Sequence, residues 1–215
     1  MIKTINKSDE RIVFSTDMPI ELLNAIRRNV NHIPILATDT LEISKNDSAL
    51  YDEIIAHRVG LIPLKNVELK MPEDCDCDGK GCGKCSTKFK LKSKGPCIVY
   101  SDEMGKKDEI PSKMPITILD KNQELEFVAV AKMGRGVEHA KFSPGLLYYK
   151  YAGDAESTDV KEDDENFRKL IESSNKEKES IVTIESWGQI KAKEIFICAV
   201  EELNKSARLL IKSVK

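Results

Sequence analysis

Apolar and polar positions alternate along this chain in two different rhythms, and the rhythm changes where the element type should change. Near the start, Ile2 to Ile5 and Arg11 to Phe14 flank Asn6, Lys7, Ser8 and Asp9, the pattern of a hairpin with polar turn residues. Ile20, Leu23, Ile26 and Val30 then recur at helical spacing, with Thr16 or Asp17 placed to cap, Pro19 suited to the first turn and Pro34 expected to stop the helix. Short alternating stretches follow at Thr40 to Ser44, Lys88 to Lys94, Ile116 to Leu119, Glu126 to Met133 and Leu146 to Tyr151, the signature of antiparallel strands with one buried face. Ile181 to Glu185 reads as a further strand, broken by Gly188.

The final stretch carries the clearest period. Phe196, Val200, Leu203, Ala207, Leu210 and Val214 are spaced 4, 3, 4, 3, 4, a heptad seam widened by Ile195, Ala199 and Ile211. A helix from Ala192 to Val214 would run about 34 Å at 1.5 Å per residue. Such a stripe suits either a core helix lying on its own sheet or a seam meeting a helix of another chain.

Charge divides the chain further. Asp154 to Glu179 holds ten acidic and five basic residues in 26 positions, with Phe167, Leu170 and Ile171 its only close apolar group, so 153–179 is expected to be an acidic linker. The segments on either side of the strand-rich middle are each too short for a stable core and are expected to fold together. The expected architecture is therefore α+β. A discontinuous domain of hairpin, helix, strand and long C-terminal helix spans 1–42 and 180–215, and a strand-rich inserted domain spans 43–152. Two helices on a few strands leave a face uncovered, which an obligate partner would complete.

Composition removes several functions. With 34 Lys+Arg against 36 Asp+Glu the formal charge is −2, so no global cationic footprint for nucleic acid exists. The longest apolar run, Ile195 to Val200, is far below the ~20 residues of a membrane span. The opening MIKTINKSDER holds no apolar signal core, which implies a reducing cytosolic or nuclear setting where cysteines do not serve as disulfides.

Four of the six cysteines, Cys75, Cys77, Cys82 and Cys85, fall within CDCDGKGCGKC. Four thiolates close a tetrahedral shell around zinc, and Gly79, Gly81 and Gly83 would let so short a loop curl around the ion. Zinc is the expected metal, with an iron or iron-sulfur centre as the alternative. Asp74, Asp76, Asp78 and Gly79 imitate a calcium loop, but its twelfth position is Cys85 and not a bidentate Glu. Cys97 and Cys198 are expected as small buried hydrophobes.

Catalytic signatures are lacking. His32, His57 and His139 sit at no metal-binding spacing, Gly134 to His139 departs from the dinucleotide fingerprint after three residues and reads as a turn, and no phosphate-binding lysine loop or nucleophile elbow occurs. Lys88, Lys90, Lys92 and Lys94 share one strand face, either protecting an edge or forming an electrostatic stripe for nucleic acid or an acidic neighbour.

Several stretches carry a family resemblance. NAIRR at Asn24 to Arg28, IPILATD at Ile33 to Asp39, Asn46-Asp-Ser48, DEIIAHRVGLIPL at Asp52 to Leu64, GRGVEHAKFSP at Gly134 to Pro144 and IESWG before the last helix resemble the alpha-like assembly subunits of DNA-directed RNA polymerase. That family includes the archaeal member called D and the third-largest subunit of eukaryotic polymerase II, both similar to the bacterial alpha N-terminal domain. The resemblance implies a non-catalytic scaffold. It would pair with a smaller alpha-like subunit, called L in archaea, and the pair would carry the two large catalytic subunits and small zinc-bearing subunits, reaching DNA only through the complex. It places Asn24, Arg27 and Arg28 near the large subunits and the heptad seam against the partner's long helix. Compared with the eukaryotic zinc loop, CxCxxxCxxC, this chain has one more residue between its second and third cysteines. The iron-sulfur cysteines that several archaeal relatives carry near the acidic segment do not occur here. Short length and few tails favour an archaeal source and a cytoplasmic location, nuclear if the source were eukaryotic. Two other classes stay open on the residues alone: a redox protein with a four-thiolate iron centre, and a free-standing zinc module binding nucleic acid through the lysine strand.

Overall fold

The computed structural model describes residues 2–65, 69–77, 81–106, 108–152 and 179–214. The acidic linker expected at 153–179 lies almost wholly outside them. The chain divides into two compact units, Met1–Ile33 with Ser143–Lys215, and Pro34–Phe142. The architecture is α+β, with antiparallel sheets and three α-helices among the described residues.

The first unit is built on β1 (Ile2–Lys7), β2 (Arg11–Thr16), β8 (Gly145–Tyr151) and β9 (Ser180–Ser186), ordered β1-β2-β9-β8 and antiparallel throughout. The β1–β2 hairpin closes through Ser8, whose Oγ accepts from the Arg11 amide at 2.8 Å. Helix α1 (Ile20–Asn29) buries Leu23 and Ile26, as its period requires. Its N-cap is Pro19 and no side chain caps it; Thr16 Oγ1 accepts instead from the Met18 amide, one residue before the cap. The helix tightens into a 3-10 turn, Val30–His32, before the chain extends.

Helix α3 (Ala192–Val214) lies on this sheet by its N-terminal half, where Ala192, Ile195 and Ala199 are fully buried. Phe196 meets Phe14 of β2 edge to face at 5.3 Å and 74°. Between β9 and this helix, Gly188 has a φ of +103°, a left-handed conformation that costs little only for glycine. At the start of the helix, the Ala192 amide donates to Asp9 O at 2.9 Å.

The second unit contains β3 (Pro34–Asn46), β7 (Glu124–Arg135) and β4 (Ser86–Lys94) in the order β3-β7-β4, a separate β5–β6 pair (Cys97–Tyr100, Pro115–Leu119), and α2 (Asp52–Gly60). Alternation along β4 buries Phe89, Leu91 and Ser93 and exposes the four lysines between them. Phe89 and Leu91 join Phe127, Ala129 and Ala131 of β7 and Ile55 and Val59 of α2 in one core.

Three expectations change. Strand β3 begins at Pro34 and is much longer than Thr40 to Ser44, so a division after residue 42 would cut a continuous strand. Strand β8, expected with the inserted part, pairs with β9 and belongs to the first unit. Helix α2 has no counterpart among the elements that the apolar pattern predicts.

Candidate metal centre and apolar helix face

The cysteine loop is framed by two backbone turns. A 3-10 turn at Pro72–Asp74 presents Cys75, whose amide donates to Pro72 O at 3.3 Å. A second turn brings the Cys85 and Ser86 amides to Cys82 O at 3.0 and 2.9 Å, immediately before β4 starts. The two sides are tied by the Lys70 amide donating to Lys84 O at 2.9 Å. Gly81 has φ +74°, the left-handed conformation that the curl demands. A Cβ at Gly83 would meet nothing within 4 Å, so that position does not need glycine, and Gly79 lies outside the described residues.

All four Sγ atoms lie within 4.8 Å of one another. Cys75–Cys82, Cys77–Cys85 and Cys82–Cys85 are separated by 3.6, 3.5 and 3.9 Å. A tetrahedron of sulfurs about 2.3 Å from a central zinc has edges of about 3.8 Å, so the donor set fits a closed four-thiolate site. A hydrogen bond from the Cys82 amide to Cys85 Sγ at 3.3 Å would stabilise negative sulfur.

The thiols differ in acidity. The Lys84 backbone amide, followed by Cys75, draws Cys82 down to about 7, while a hydrogen bond with Cys77 and then burial push Cys75 up to about 12. Four such close thiols cannot all ionise against one another; a bound cation would remove that conflict.

Cys97 and Cys198 are half-buried, less enclosed than expected. Cys97 Sγ donates to Lys94 O at 3.6 Å, and burial pushes the Cys198 thiol up. On the lysine strand, Lys92 pairs with Glu126 at 2.7 Å and Lys94 with Glu124 at 3.1 Å, which locally neutralises half of the stripe.

The heptad residues of α3 fall into two groups. Phe196, Val200 and Leu203 are half-buried against the first unit, and from Asn204 to Val214 every residue is exposed. Ala207, Leu210 and Val214 lie in that outer half, with Leu210 67% and Val214 87% exposed, beside Leu209 and Ile211. The stripe is thus core at one end and, among the described residues, uncovered at the other. On α1, Asn24 Oδ1 accepts from Arg27 Nε at 3.1 Å and Nη2 at 2.9 Å, holding that guanidinium on the surface next to exposed Arg28. No helix among the described residues is long and apolar enough to cross a membrane.

A two-unit α+β protein with a four-cysteine knuckle before an edge strand and a half-covered amphipathic helix is the class these features define. Residues 20–146 match the RNA polymerase Rpb3/RpoA insert domain, and the chain belongs to that family. It is similar to DNA-directed RNA polymerase subunit Rpo3 of Pyrococcus horikoshii, 40% identical over 157 residues covering 70% of this chain and 59% of that protein. The Rpo3 of Methanothermobacter thermautotrophicus is 38% identical over 159 residues, covering 67% of this chain and 59% of that protein. That of Archaeoglobus fulgidus is 38% identical over 137 residues, covering 60% and 52%. The chain therefore spans less than two thirds of the length of these relatives.

Proposed function

We propose that this chain is a non-catalytic assembly subunit of a DNA-directed RNA polymerase. It pairs with a smaller alpha-like subunit, called L in archaea, and the pair carries the two large catalytic subunits and small zinc-bearing subunits. Nucleotidyl transfer takes place on other chains, and DNA is reached only through the complex, in the cytoplasm. The names of its relatives support the complex. The observation that carries the pairing is the outer half of α3, where four large apolar side chains, Leu209, Leu210, Ile211 and Val214, stand in solvent. Burying each against a second helix would contribute about 1.5–3 kcal/mol, which favours an obligate partner over a lone subunit.

In this reading Ala207, Leu210 and Val214 meet the partner's long helix along the uncovered part of the seam, and Phe196, Val200 and Leu203, half-buried on their own unit, meet it only by their outer edges. Arg27 and Arg28 face carboxylates of a large subunit, where planar guanidinium pairs bind better than ammonium groups, and Asn24 orients the first of them. Zinc at Cys75, Cys77, Cys82 and Cys85 stabilises the second unit and has no open position for substrate.

Coexpression with the smaller alpha-like subunit tests the reading. The expected product is a 1:1 heterodimer by light scattering, while the lone chain self-associates. Leu210→Glu should weaken pairing at least ~30-fold, the scale of a central interface residue. A well-behaved monomer without affinity for that subunit contradicts it.

A further inference from the structure

We propose that a cavity of the second unit, between β3, α2 and the turn at His139, is an anchor site for a partner polypeptide. It would take one large apolar side chain from a segment that carries a carboxylate beside it. The inference rests on the assembly reading and deepens it.

The cavity holds about 190 Å³ and is lined by Thr38, Asp39, Ala56, Leu61, His139 and Lys141 among others. Its volume lies below the ~300–1,000 Å³ of small-molecule sites and just above the ~150 Å³ of an apolar cavity that holds benzene. One aromatic or branched side chain fills it.

Helix geometry extends the site beyond the cavity. At 100° per residue, Ala56, His57, Gly60 and Leu61 share the cavity side of α2, and Tyr51, Ile54, Arg58 and Leu61 share the adjoining face. Tyr51, Ile54 and Leu61 are 81%, 46% and 53% exposed. A small molecule seated in the cavity would leave Tyr51, Ile54 and Leu61 wet; a polypeptide would cover both, in the manner of an anchored hot spot.

The polar groups fix the partner's chemistry. Asp39 accepts from Lys141 Nζ and Lys132 Nζ, each at 2.9 Å, so its carboxylate is committed and the triad carries one surplus positive charge. His139 Nδ1 accepts from the Lys141 amide at 3.1 Å, which in the neutral ring leaves the proton on Nε2 as a donor. Thr38 is 3% exposed and its hydroxyl has no hydrogen-bond partner among the described residues. A rim offering donors and net positive charge calls for an acceptor, and a carboxylate satisfies both.

The test uses the full chain in cells that contain the polymerase. A photo-crosslinking benzoylphenylalanine replaces Ile54 in one strain and Leu210 in another, and crosslinked peptides are sequenced by mass spectrometry. The Ile54 probe is expected to capture one segment of a polymerase subunit other than the small alpha-like partner, with a large apolar residue within two positions of Asp or Glu. Ala56→Trp, which fills the cavity, should cut that crosslink about tenfold without changing the Leu210 crosslink. His139→Ala, which removes the donor and leaves the cavity open, should reduce it several-fold. The proposal is overturned by a captured segment lacking a carboxylate, by a crosslink indifferent to both variants, or by no Ile54 crosslink while Leu210 still reports its partner. Loss of both crosslinks counts against the assembly reading itself.

Discussion

Asp39 is a carboxylate on which two opposing effects can be weighed. Burial raises its pKa, yet the hydrogen bonds and charges of Lys132 and Lys141 outweigh burial and hold it below the usual carboxylate range. A carboxyl more acidic in the folded than the unfolded chain adds stability above the unfolded value of about 3.9, and that stability is lost as pH falls through the folded value. Asp39→Asn should therefore lower stability at neutral pH and flatten its decline below about pH 4. Urea unfolding of the second unit at a series of pH values checks this, and parallel curves for both proteins would show that the triad is energetically idle. Because the carboxylate is partly exposed, solvent screening keeps the effect to the order of 1 kcal/mol. No sequence pattern announces the triad: Asp39, Lys132 and Lys141 are distant along the chain, and only the β3–β7 pairing and the turn after it bring them together. The cysteines, in contrast, are legible because their geometry is local, four sulfurs on one short loop.

Among the elements, period decides what can be read. The heptad of α3 and the strict alternation of β4 run long enough to leave one interpretation of element type, and both occur where expected. Helix α2 is nine residues long and buries only Ile55 and Val59, too few for a period to emerge. Its remaining signal is electrostatic: Asp52 and Glu53 in the first turn and Arg58 in the last, each matched to the helix dipole. Strand β8 has the right pattern, but its partner lies across the acidic segment, and pairing over such a distance leaves no local trace. That pairing depends on a close approach at Gly145, where a Cβ would stand 2.1 Å from Glu185 O and 2.8 Å from Ile195 Cδ1. Gly145→Ala should cost the first unit about 1–3 kcal/mol, the range for forced overpacking. Gly83→Ala, with open space around it, should change stability by less than ~0.5 kcal/mol. Thermal unfolding of the two variants measures the contrast, and equal losses would mean that β8 can shift without penalty.

For the whole molecule, the division into two units determines how metal loss should spread. All four cysteines lie within Pro34–Phe142, and Cys85 is 2% exposed where the loop feeds directly into β4 and its core. Sheet β1-β2-β9-β8 and α3 have a core of their own, built on Phe14, Phe196, Ile195 and Ala199. A site whose ligands all belong to one unit contributes its binding free energy to that unit's folding. The zinc proposed for the site predicts one equivalent of colourless metal in purified protein, whereas iron would show visible charge-transfer absorption and favour the redox alternative. Removing the metal with a chelator should raise hydrogen exchange along β4 and its partner β7 while leaving β2, β9 and the buried turns of α3 protected. The two responses separate because no cysteine ligand and no residue of the second unit's main core cluster lies in the first unit. Protection lost equally in both units would mean that they unfold as one, and the cysteine loop would then support α3 as well as its own sheet. With the loss of protection confined to the second unit, a chelated chain should still bind the smaller subunit proposed above through α3 while losing the segment proposed for the cavity beside Asp39.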